Sequence, residues 1–68
     1  MIVVKVIELI GASPNGWEDA AKNALAQAAK TVKNIKSLYV KTCKATIENN
    51  KIVEYRAVVK IAFVVEGS

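Results

Sequence analysis

The 68-residue chain contains no histidine and only one cysteine, Cys43. The first absence removes the commonest zinc ligand and general base, and the second rules out a disulfide within the chain. A phosphate-cradling glycine loop and a nucleophile elbow are missing too. Cys43 sits between Lys41 and Lys44, but without a histidine it has no partner for a catalytic dyad and reads as a small buried hydrophobe. The chain therefore shows no apparatus for catalysis, and a non-enzyme is expected. Like charges never run to five in succession, and the lysines are scattered, so a nucleic-acid partner is not expected. Met1 to Ile10 is too short to cross a bilayer and is interrupted by Lys5 and Glu8. No signal peptide or membrane anchor is expected, and the location is read as cytoplasmic. The lone thiol suits a reducing compartment.

What the chain does have is apolar side chains, which make up 53% of its residues. One domain spanning 1–68 is expected, and a domain of this size buries only about 60% of the surface its unfolded chain exposes. The surplus points to oligomerisation, in which other copies cover what one copy cannot. The net charge of +4 would be multiplied in a symmetric assembly, favouring anionic ligands.

Helical periodicity occurs in one stretch, Ser13 to Val32. There Trp17, Ala20, Ala21, Ala24, Leu25, Ala28, Thr31 and Val32 form an apolar stripe. Most of it is alanine, so the helix can lie close to a sheet but covers little of it. Gly11, Ser13, Pro14, Asn15 and Gly16 read as the preceding turn, with Asn15 and Glu18 or Gly16 and Asp19 as the helix start. Glu18 and Asp19 fall in the first turn and Lys30 and Lys33 in the last, in the order the helix dipole favours.

Strands are predicted on either side. Met1 to Ala12 has apolar residues at odd and even positions, as in a strand covered on both faces. Ile35 to Glu48 and Ile52 to Glu66 form a hairpin, with Asn49 and Asn50 in a tight turn. In the last strand Val53, Tyr55, Ala57, Val59, Ile61, Phe63 and Val65 make an unbroken apolar face that should pack on the helix. The other face mixes Glu54, Arg56, Lys60 and Glu66 with aliphatics, as a subunit contact or ligand lining would. A strand of about 14 residues reaches roughly 45 Å and a helix of about 18 residues roughly 27 Å, so the hairpin outruns its cover. The fold class is α+β, in the order β-α-β-β, with a three-stranded antiparallel sheet curled round one helix.

The run from Val6 to Ala20, centred on Gly11-Ala12-Ser13-Pro14-Asn15-Gly16-Trp17-Glu18, resembles the signature of the dodecins, small proteins whose twelve copies enclose a hollow sphere. Lys30 to Ile35, Ala45 to Asn49 and Glu54 to Phe63 extend the resemblance along the whole chain. The resemblance implies a homo-dodecamer of 23 symmetry that stores or buffers a small-molecule ligand, usually a flavin such as FMN or riboflavin. It also assigns the ligand positions. Flavin-binding dodecins stack the isoalloxazine on a tryptophan near the start of the second strand and hold its polar edge with a glutamine in the third. Here those positions are Ser37 and Arg56. Serine has no aromatic face, and arginine lacks the amide's acceptor.

The missing tryptophan together with Tyr55-Arg56 is similar to the flavin-poor branch sometimes called calcium dodecins. For calcium the carboxylates are Glu8, Glu18, Asp19, Glu48, Glu54 and Glu66, with no closely spaced loop of ligands among them. Lys5 and Lys60 are candidates for contact with an anionic ligand. Trp17, Tyr55 and Phe63 are candidates for core or subunit interface. Two alternatives stay open: a flavin-sequestering dodecin with another stacking residue, or a structural or adaptor oligomer.

Overall fold

The computed structural model describes residues 2–66. β1 runs Ile2–Ser13, α1 Trp17–Ala29, β2 Ile35–Glu48 and β3 Lys51–Glu66. The β-α-β-β order is as expected, and the sheet order β1-β3-β2 places the last strand in the middle, antiparallel to both neighbours. Asn49 and Asn50 both take positive φ, 51° and 62°, the backbone twist that a two-residue hairpin requires.

The helix is shorter than the periodicity suggests. It begins after Gly16, whose φ of 155° with ψ of 172° belongs to a region that is essentially reserved for glycine. No side chain caps it, so the Asn15–Glu18 capping pair does not form. Ser13 organises the turn instead, accepting from the Asn15 amide at 3.0 Å and donating its hydroxyl to Asp19 at 2.5 Å. At the far end the Thr31 and Val32 amides both donate to the Ala28 carbonyl, and Asn34 at φ 63° turns the chain into β2. Thr31, Val32 and Lys33 therefore lie beyond the helix, and its last turn carries no basic residue.

Ala20, Ala24 and Ala28 are the buried residues of α1, and they pack with Ala57, Val59 and Ile61 of β3. Ile7 and Leu9 of β1 and Ile35 and Leu38 at the start of β2 border this core. Leu25 and Trp17, although in phase with the stripe, remain exposed. Gly11 is not in a turn but within β1, and it fixes how closely α1 approaches. A Cβ there would stand 1.9 Å from the Ala20 carbonyl oxygen and 3.0 Å from the Ala24 Cβ.

The helix packs chiefly on β1 and β3 and barely reaches β2. For that reason Cys43, on the edge strand opposite Ala57, is exposed rather than buried. The helix-side face of β3 is buried only at its centre, as the mismatch of lengths implies, since a 13-residue helix is roughly 20 Å long and the molecule extends 54 Å. Ile47, Ile52 and Val53 protrude beyond one end of the helix and Ile2, Val3 and Val4 beyond the other, all exposed.

Candidate ligand-binding face

Alternation along β3 assigns its odd-numbered residues, with Ala57, Val59 and Ile61, to the helix side. Its even-numbered residues form the outer face, where the strand register builds rows of three. Val6, Ala62 and Ser37 make one row, and Glu8, Lys60 and Tyr39 the next. Ile10, Val58 and Thr42 follow, and then Ala12, Arg56 and Lys44. A register shift between Val40 and Thr42 releases Lys41 from the ladder. Bulges of this kind re-aim side chains, and here the Lys41 ammonium reaches across β3 to Glu8 on β1 at 3.5 Å. Lys60 approaches the same Glu8 oxygen at 4.0 Å.

The outer face thus mixes apolar rows with two charged ones, Glu8–Lys60–Tyr39 and Ala12–Arg56–Lys44. Ile10 is 65% exposed and Ile2 76%, so the outer side of β1 has no cover among the described residues.

Ser37 and Arg56 share this face but are not neighbours. Ser37 lies opposite Ala62, six residues from Arg56 along β3, a separation of roughly 20 Å. Arg56 donates from Nε to Glu54 at 2.6 Å and stands across from Lys44. Lys5 and Lys60 are on opposite faces, since Lys5 pairs with Phe63 on the helix side while Lys60 joins the outer row. They cannot hold one ligand within a chain.

Phe63 is separate from Trp17 and Tyr55, which meet each other. Trp17 meets Tyr55 edge-on, with ring centroids 4.9 Å apart, and donates its indole NH to the Lys44 carbonyl at 2.9 Å. It is a clasp between the helix start and the β2–β3 hairpin, 42% exposed rather than part of the central core. Phe63 is half-buried at the other end of β3, between Lys5 and Ile35. Replacing Trp17 by phenylalanine keeps the ring contact and removes one hydrogen bond, an expected loss of about 1 kcal/mol. Alanine, which removes the ring as well, should cost about 2–3 kcal/mol. Urea unfolding of both variants measures the difference, and equal losses would mean that the ring contributes nothing.

Among the described residues no three acidic or cysteine side chains gather where they could hold a metal ion. Glu8 and Glu54 are engaged by cations, Glu18 lies beside Lys22 at 4.0 Å, and Asp19 accepts from Ser13. The side chain of Glu66 lies outside the described residues. No helix among these residues is long and apolar enough to cross a membrane.

A thin helix on an antiparallel sheet, with long apolar overhangs and an uncovered outer face, defines a small α+β subunit of the β-α-β-β class. The dodecin family model matches residues 3–66, and the chain belongs to the dodecin family. It is 38% identical over 64 residues to the dodecin of Thermus thermophilus, covering 94% of this chain and 93% of that one. It is 33% identical over 63 residues to the calcium dodecin of Mycobacterium tuberculosis, covering 93% and 89%. A crystal structure of a T. thermophilus dodecin variant superposes with a TM-score of 0.94 at 35% identity over the full length of both chains. The M. tuberculosis calcium dodecin, described as calcium chelating with a novel calcium-binding site, gives 0.83 at 32% identity, covering 97% of this chain and 94% of that one.

Proposed function

We propose that this chain is the subunit of a hollow homo-dodecamer that holds a small ligand without transforming it, and that the flavin site usual in the family is weakened by Ser37 and Arg56. The uncovered apolar surface carries the reading. The chain exposes 5061 Å², against about 4,200 Å² for a compact monomer of its mass. Its radius of gyration is 14.1 Å, where about 11 Å suits a globule of 68 residues. Both excesses describe a plate with surface available for other copies to cover, which supports the reading. The six core residues are alanines, valine and isoleucine, too thin a core to hold such a plate by itself.

Neither family ligand fits one chain well. Ser37 has no ring to stack on a flavin, and Arg56 is already occupied by Glu54. Calcium would need carboxylates drawn from different copies, because those of one copy are dispersed or paired. A purely structural oligomer is the competing reading, and the two differ in what they carry.

Native mass spectrometry tests both parts. Assembly predicts a species near 88 kDa, twelve times 7.3 kDa, and unfolding that species should release a small molecule. A monomer at micromolar concentration overturns the assembly, and a dodecamer that is empty when freshly isolated favours the structural oligomer.

A further inference from the structure

The charged row around Glu8 on the outer face has more positive than negative charge and an aromatic ring at one end. Tyr39 is 58% exposed and pairs directly with Lys60, which places their Cβ atoms about 5 Å apart on one face. Lys41, whose ammonium reaches Glu8 on that face, lies two residues along β2 from Tyr39. Both ammonium groups converge on the single carboxylate of Glu8, at 3.5 Å and 4.0 Å, so Glu8 holds them in position while neutralising only one of them. The flanking rows, Val6–Ala62–Ser37 and Ile10–Val58–Thr42, are mostly apolar. Ser37, two residues before Tyr39 and on the same face, leaves open space beside the ring.

We propose that Tyr39, Lys41 and Lys60 form a binding site for a planar aromatic anion of one or two rings, with the ring against Tyr39 and the negative group on the ring shared by the two ammonium groups. The proposal rests on the ligand-holding function above and names its chemical class. Size follows from the phenol, a single ring face that one or two rings suffice to cover. Position follows from Lys60, directly across the strand pair from Tyr39, and from the shared contact of both ammonium groups with Glu8 on the same face. A carboxylate attached directly to the aromatic system is held beside the ring, on the side of Lys60.

Equilibrium dialysis of the intact assembly against three probes tests it: 2-naphthoate, the neutral 2-naphthamide of the same shape, and cyclohexanecarboxylate, an anion without a ring. The naphthoate should bind at least about tenfold more tightly than either of the others, with the advantage over the amide shrinking as salt screens the lysines. Tyr39→Leu should remove the advantage over cyclohexanecarboxylate, and Lys60→Gln most of the advantage over the amide. Equal binding of naphthoate and naphthamide, or an unchanged naphthoate affinity in Tyr39→Leu, overturns the site. Both variants change exposed or half-exposed outer-face positions, and native mass spectrometry of the same samples reports their assembly. A dodecamer that ignores all three probes defeats this site and leaves the assembly standing, whereas a monomer defeats the assembly whatever it binds.

Discussion

Replacing Gly11 by alanine is expected to leave a chain that neither folds nor assembles. The added Cβ would lie 1.9 Å from the Ala20 carbonyl oxygen, where ordinary contact needs about 3.5 Å. What opposes it is the Ala20 backbone and the Ala24 Cβ, neither of which can swing away. The helix would have to lift by roughly 1.5 Å, and at that distance Ala20, Ala24 and Ala28 lose their seating on Ala57, Val59 and Ile61. Overpacking by a methyl group costs about 1–3 kcal/mol even where side chains can yield, and a chain of this size has only about 3–5 kcal/mol in total. Circular dichroism and native mass spectrometry should show loss of both structure and oligomer. Gly16→Ala is the comparison, because a Cβ there meets nothing within 4 Å. Its cost is backbone strain alone, about 1–3 kcal/mol, and the assembly should survive at a lower melting temperature. A Gly11→Ala protein that melts within a few degrees of the unmodified one would show that the helix does not need its close approach.

Gly11 also shows where sequence reading loses its grip. Beside Ser13, Pro14 and Gly16 it looks like punctuation, and nothing local distinguishes a glycine that bends the chain from one that lets another backbone come near. The partner that explains it, Ala20, is known only once the helix is placed. The helix ends failed for a related reason. Thr31 and Val32 continue the apolar phase, yet the last turn tightens at Ala28 and Asn34 reverses the chain, and periodicity records side-chain phase without recording backbone termination. The exposure of Cys43 is not legible locally, because burial on β2 depends on how far the helix reaches across the sheet, which the order β1-β3-β2 decides. The alternation of β3, the Asn49–Asn50 turn and the alanine stripe were legible because each is a local pattern with one cheap solution. The mismatch of lengths was legible too, since rise per residue is fixed by geometry. The charged row of Glu8, Lys60 and Tyr39 was not, because three strands and a bulge bring it together.

The second large effect concerns flavin. Titrating riboflavin or its phosphate with the unmodified protein is expected to leave the emission almost unchanged, because Ser37 offers no ring to quench it and Arg56 is bound to Glu54. Losing a stacking partner and a matched hydrogen-bond pair removes roughly 2–4 kcal/mol, about 30- to 1,000-fold in affinity. Installing Ser37→Trp together with Arg56→Gln should recover that factor and with it the quenching. The distance between the two positions adds a condition. Within one chain they are roughly 20 Å apart along β3, more than a flavin ring system can bridge, so a restored site must take its tryptophan and its glutamine from different copies. Quenching should then follow assembly, present where native mass spectrometry finds the oligomer and absent in conditions that dissociate it. Mixing subunits that carry only Ser37→Trp with subunits that carry only Arg56→Gln should rebuild a fraction of the sites, whereas neither variant alone regains full affinity. Submicromolar quenching by the unmodified protein would show that another ring, Tyr39 or Trp17, supplies the stack. Quenching by dissociated double-variant subunits would show that one chain suffices, against a site shared between copies.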